Sequence, residues 1–143
     1  MSIINWNNER MSVGNELIDT QHKKLVTLIN NIIVSIQNNN QIEDIEKFIE
    51  DAISYTQYHF SAEENLFEEL SLNKDDIKRH KKEHQDFIDK VNGLYQKIKN
   101  DKSIKNNYGI EMVTELFNFL REWIVHHIMV TDKNLLLKNN KVV

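Results

Sequence analysis

Apolar residues in this chain recur at alternating intervals of three and four, the period of a helix that buries one face. From about Glu16 to Gln37 the stripe runs through Ile18, His22, Leu25, Ile29, Ile32 and Ile36. A second segment opens on Glu43, Asp44 and Glu46, acids that suit a helix N-terminus. It continues to about Leu70 along Ile45, Phe48, Ala52, Tyr55, His59, Ala62 or Glu63, and Leu66. Asn73 is a cap candidate for a third segment, with Asp75 and Asp76 in the first turn and Ile77, His80, His84, Phe87, Val91, Leu94 and Ile98 keeping the alternation. A fourth places Val113, Leu116, Leu120, Trp123, His127 and Val130 on one face.

These patterns predict an all-α protein, an antiparallel up-down-up-down four-helix bundle preceded by an N-terminal arm. The arm covers residues 1–15, the helices about 16–37, 43–70, 74–100 and 109–131, and a short C-terminal tail follows. Residues 1–143 are expected to form a single domain. With no proline and 3 glycines, the chain lacks the turn chemistry of an all-β fold. Asn-rich stretches at 38–40, 100–107 and 139–140 read as loop or tail.

The formal charge of −4, with lysines interspersed among Asp and Glu, gives no basic field for nucleic acid. Met1 to Met11 is polar where a signal peptide needs a basic start and an apolar run. No stretch approaches the roughly 18 consecutive apolar residues of a membrane span, since Arg121, Glu122 and two histidines interrupt Leu116 to Val130. A cytoplasmic monomer without nucleic-acid or membrane partners is expected, its protein partner unknown.

Lack of cysteine excludes disulfides, iron–sulfur clusters and thiolate sites, so any metal must be held by nitrogen and oxygen. Five of the 6 histidines, His22, His59, His80, His84 and His127, fall on the inward stripes, and all four helices contribute. One buried histidine is an ordinary core residue; with core positions at about three in seven, five there by chance is an event of a few per cent. A shared ligand accounts for them together. Glu63 lies four residues after His59, and His84 four after His80, so each pair projects from one helix face. Either pair alone is weak evidence; two on the inward faces of adjacent helices are much stronger. Asp132 follows His127 by five residues, about 140° away on an ideal helix, so spacing does not predict it as a ligand unless the helix end bends or loosens.

Such a donor set suits iron, manganese, copper or zinc rather than magnesium or calcium. Five histidines are too many for one catalytic zinc and imply two metals. The Glu-x-x-His pairs of ferritin-like di-iron proteins are absent, because Thr56, Ile77, Lys81 and Ile124 stand three residues before the relevant histidines. The zincin His-Glu-x-x-His is absent too.

Motifs along nearly the whole chain resemble the hemerythrins, the bacterial ones in particular. They are Trp6 and Gly14 in the arm, Ile18-Asp19-Thr20-Gln21-His22-Lys23-Lys24-Leu25, and His59-Phe60-Ser61-Ala62-Glu63-Glu64. His80-x3-His84-x2-Phe87 and Trp123-x3-His127-Ile128-x3-Asp132 complete the match. The resemblance implies that His80, His84 and His127 bind one iron, that His22 and His59 bind a second, and that Glu63 and Asp132 bridge them beside a bridging oxide or hydroxide. The two-histidine iron then has one open position, where the resemblance implies reversible binding of dioxygen. Walls implied for that pocket are Leu25, Phe60, Trp123, Ile124 and Ile128, which also suit a plain core. Ile124 stands where the family usually has leucine, a change that bears on pocket access.

The expected function is that of an oxygen carrier or store, not an enzyme, with no catalytic residue. The alternatives are a di-iron oxygen or redox sensor, and an enzyme that handles peroxide or nitric oxide. His126 is expected to point off the stripe as a non-ligand. Glu64 and Glu68 read as solvated surface charges, the Asp75-Asp76 pair as a helix start, and Trp6 as a pin for the arm.

Overall fold

The computed structural model describes residues 3–100 and 108–140. The described elements are all helical: α1 (Asn8–Met11), α2 (Glu16–Gln37), α3 (Ile42–Glu69), α4 (Lys74–Asn100), α5 (Tyr108–His126), a π-helical segment (His127–Asp132) and α6 (Lys133–Asn140). The four long helices match the stripes read from sequence. The polar 100–107 connection lies, but for its first residue, outside the described residues.

Local chemistry sets the boundaries. Asn15 caps α2 by accepting from the Ile18 amide at 3.0 Å. Asn73 accepts from Asp75 and Asp76 at the start of α4, as its position suggested. Helix α3 ends with Ser71 in the left-handed region (φ 53°), where the Leu72 amide reaches back to the Phe67 carbonyl at 3.1 Å and the Ser71 amide to Glu68 at 3.0 Å. That turn reverses the chain within four residues.

Helix α2 packs against α3 and α5, α3 against α4, and α4 against α5, which closes a ring of four. The pairs His84–His127, Phe87–Trp123 and Lys90–Phe119 step up α4 while stepping down α5, so these two run antiparallel. Most buried apolar side chains, from Leu25, Ile29 and Ile32 to Phe87, Leu116 and Leu120, form one large cluster along the bundle. A smaller cluster, Val13, Ile18, Phe67, Leu72, Ile77 and Leu136, closes one end. Between the two lies a layer of buried polar residues: His22 falls between Ile18 and Leu25, Glu63 between Phe67 and Phe60, His80 and His84 between Ile77 and Phe87, and Asp132 between Leu136 and Ile128, the first of each pair in the small cluster and the second in the large.

Two features depart from the sequence expectation. The region after residue 131 is not a tail: α6 runs to Asn140 and Leu136 is 2% exposed within the end cluster. Val130, expected to face inward, is 43% exposed. The cause is the π segment, whose wider turn advances each residue by less than an α-helix does, so the inward direction passes from His127 to Asp132 rather than to Val130.

The arm is fastened at several points. Ile4 exchanges two hydrogen bonds with the Asn30 side chain, at 2.7 and 2.8 Å. Trp6 packs against the core, with the Lys23 ammonium 5.5 Å from its ring. Lys133 donates to the carbonyls of Glu9 and Arg10 and so ties the end of the π segment to α1.

Candidate metal centre

The seven sequence-predicted donors come together in the polar layer, all buried: His22, His59, Glu63 and Asp132 at 0% exposure, His84 and His127 at 2%, and His80 at 4%. Their ligand atoms form two overlapping groups, Glu63 with His80, His84 and His127, and His22 with His59, Glu63 and Asp132, each within 4.8 Å.

The carboxylates divide their oxygens between the groups. Glu63 Oε1 lies 3.1 Å from His84 Nε2 and 3.2 Å from His127 Nε2, while Oε2 lies 3.1 Å from His59 Nε2 and 3.6 Å from His22 Nε2. Asp132 Oδ1 lies 2.8 Å from His80 Nε2 and 2.9 Å from His127 Nε2, while Oδ2 lies 3.1 Å from His22 Nε2. Each side chain therefore faces both groups. The π segment is what turns Asp132 inward; in a continuous α-helix it would point away.

The chemistry of these contacts fits metal ions. His84 Nε2 and His127 Nε2 are 3.1 Å apart. Two nitrogens at right angles on one ion, each about 2.1 Å from it, lie about 3 Å apart. On the other side, His22 Nε2, His59 Nε2, Glu63 Oε2 and Asp132 Oδ2 are buried without a hydrogen-bond partner. Four such atoms converging on one point would be costly unless a cation satisfies them together. The donor set fits two metals with nitrogen and oxygen shells, five protein donors on the three-histidine side and four on the other.

The electrostatics agree. Burial favours the neutral form of Glu63, but the four imidazoles that face its oxygens, His127, His22, His59 and His84, hold its pKa well below the usual carboxylate range. Burial and the Glu63 charge oppose ionisation of Asp132, yet His127 and His22 keep its pKa lowered. Burial opposes protonation of His127, but Asp132 and Glu63 outweigh it and push the imidazole up to about 10. Burial likewise opposes protonation of His22 and His84, but Asp132 and Glu63 raise the first and Glu63 and Glu64 the second, whereas burial wins at His59 and lowers it. Two enclosed carboxylates thus draw positive charge into the layer.

Residues around the donors hold them in place. Phe60 stacks on His84 with centroids 3.8 Å apart and planes 3° apart, and Trp123 stacks on His127 at 4.5 Å and 17°. Of the wall residues expected from sequence, Phe60 and Trp123 make these contacts with donor rings, and Leu25, Ile124 and Ile128 are buried in the same large cluster. His126 is exposed, in keeping with the reading that it is not a ligand.

Two residues had their roles missed or misjudged. Glu64, read as a solvated charge, lies 2.8 Å from His84 Nδ1 with its side chain 25% exposed. Gln21, given no role, is 4% exposed and its Oε1 accepts from His59 Nδ1 at 2.7 Å. A signal existed for both. Gln21 stands three residues after Ile18 and four before Leu25, and Glu64 four after Phe60 and three before Phe67, so each is a polar residue at stripe spacing. Which histidine each would meet on the neighbouring helix was not readable.

Residues 13–138 match the family model of the hemerythrin HHE cation-binding domain. Relatives include the bacteriohemerythrins of Stenotrophomonas maltophilia, 27% identical over 93% of this chain and 79% of that protein, and of Clostridium acetobutylicum, 28% identical over 90% and 95% respectively. A hemerythrin-like protein of Naegleria gruberi is 30% identical over 92% of this chain and 89% of its own length. A match that takes in every donor of the buried layer, on a bundle whose π segment delivers the last of them, places this chain in the hemerythrin family of cation-binding domains.

Proposed function

We propose that the protein holds two iron ions in the polar layer and binds dioxygen there reversibly, as a carrier or store rather than as an enzyme. His80, His84 and His127 would hold one ion, His22 and His59 the other, and Glu63 and Asp132 would serve both. The observation that carries the reading is the unequal division of donors, His80, His84 and His127 on one side against His22 and His59 on the other with Glu63 and Asp132 facing both, within a layer flanked by apolar clusters. When bound, the iron pair supplies a site that can give two electrons to dioxygen and take them back. The side with fewer protein donors would be the one to take an outside ligand. Apolar residues on both sides of the layer limit water and stray protons, whose entry would turn reversible binding into irreversible oxidation. Among the described residues no helix is long and apolar enough to cross a membrane.

The test is metal content together with the visible spectrum of anaerobically reduced protein, before and after air and after renewed deoxygenation. Two irons per chain, with charge-transfer bands that appear with oxygen and vanish without it, are expected. Immediate irreversible oxidation would favour a sensor or an enzyme, and zinc or no metal would overturn the reading.

A further inference from the structure

An imidazole that offers Nε2 to a metal keeps its proton on Nδ1, and the group accepting that proton fixes the ring's tautomer and rotation. The two sides of the centre differ in that acceptor. His84 Nδ1 is held by the carboxylate of Glu64 at 2.8 Å, on the three-histidine side. His59 Nδ1 is held at 2.7 Å by the neutral amide oxygen of Gln21, a residue 4% exposed on α2. His22 Nδ1 is buried and has no hydrogen-bond partner. On the two-histidine side, Gln21 is therefore the one acceptor for an imidazole Nδ1 among the described residues.

We propose that Gln21 is a positioning residue for the four-donor side: it locks His59 with Nε2 facing the ion, and by being neutral it keeps His59 a weaker electron donor than a carboxylate partner would make it. The proposal rests on the two-metal reading of the layer. A charged acceptor forms a hydrogen bond about twice as strong as a neutral one, draws the Nδ1 proton further from the ring and increases donation through Nε2. Stronger donation favours the oxidised ion. An amide in that place favours the reduced ion on the side with fewer protein donors. Leucine at position 21 would fill similar space while leaving the Nδ1 proton buried without an acceptor.

The experiment compares the full-length wild type with Gln21→Leu and Gln21→Glu. Zinc serves as a diamagnetic probe of affinity and of the His59 Nδ1 proton resonance; anaerobically loaded iron serves for the reduction potential. Gln21→Leu is expected to bind one of the two zinc ions about 10- to 100-fold more weakly, with the other unchanged, and to lose the downfield Nδ1 signal. Gln21→Glu is expected to keep both ions and that signal, with a more negative potential. Unchanged affinities and an unchanged resonance in Gln21→Leu, or an unchanged potential in Gln21→Glu, would overturn the role of Gln21. Should Gln21→Leu fail to fold, Gln21→Glu decides alone by its potential. A wild type that binds fewer than two ions would instead overturn the two-metal reading, and the proposal with it.

Discussion

Removing His59 should cost one metal, whereas removing Glu63 should cost both. His59 Nε2 faces only the four-donor side, within 3.1 Å of Glu63 Oε2, and is buried with no hydrogen-bond partner. His59→Ala leaves that side with three protein donors and the other with its five. Glu63 offers Oε1 to one side and Oε2 to the other, so Glu63→Ala reduces the sides to four and three. Loss of a group that merely orients a ligand costs about 10- to 100-fold in metal affinity, and loss of the ligand itself costs at least the upper end of that range, about 3 kcal/mol. At micromolar protein with a slight excess of iron, His59→Ala is expected to fall from two irons to one. Glu63→Ala should fall below one, and His84→Ala should lose the other single ion. The assay is iron per chain after anaerobic loading and desalting, with far-ultraviolet circular dichroism to establish that each variant remains helical. Full iron content in His59→Ala, or equal losses in His59→Ala and Glu63→Ala, would refute the division of donors.

Metal uptake should release protons even at pH 8. A histidine with the ordinary pKa of 6.5 is about 3% protonated there, whereas His127, pushed up to about 10, stays almost fully protonated until a metal displaces its proton. Titrating the metal-free protein with zinc in dilute buffer at pH 8 should therefore release about one proton or more per chain, and release of none would contradict the shift. Because that pKa is raised in the fold, the stability it contributes is fully present below pH 6.5 and is lost as pH rises through about 10, a trend that denaturant midpoints of the metal-free protein would follow. Phe117→Ala removes a fully buried ring ten residues, roughly 15 Å of helix, before His127. It should cost about 3 to 5 kcal/mol in chemical denaturation while leaving iron content at two. His126→Ala alters an exposed ring and should change neither iron content nor stability by more than about 0.5 kcal/mol.

The helices were legible because their period is local: Ile18, Leu25, Ile29 and Ile32 lie on one face of α2 by geometry that no distant residue can alter. The same geometry carried His22, His59, His80, His84 and His127 inward with the apolar residues, so five of the seven donors could be read from position alone. Glu63 followed from its spacing to His59. Asp132 did not, because its placement depends on one wide turn, and a π segment persists only where surrounding contacts favour it. Here the inward pull of three imidazole nitrogens, at 2.8 to 3.1 Å from the Asp132 oxygens, and the tie from Lys133 to α1 supply those contacts. The same turn put Val130 outside and made α6, expected as a short tail, a cover whose Leu136 closes the end cluster. Gln21 and Glu64 mark the same boundary from another direction. Sequence spacing brings each to the edge of its stripe, but the imidazole each one holds belongs to a different helix. Only the packing of α2 on α3 and of α3 on α4 decides those partners, because a hydrogen bond between helices depends on their relative rotation and axial shift, which no single-helix period encodes.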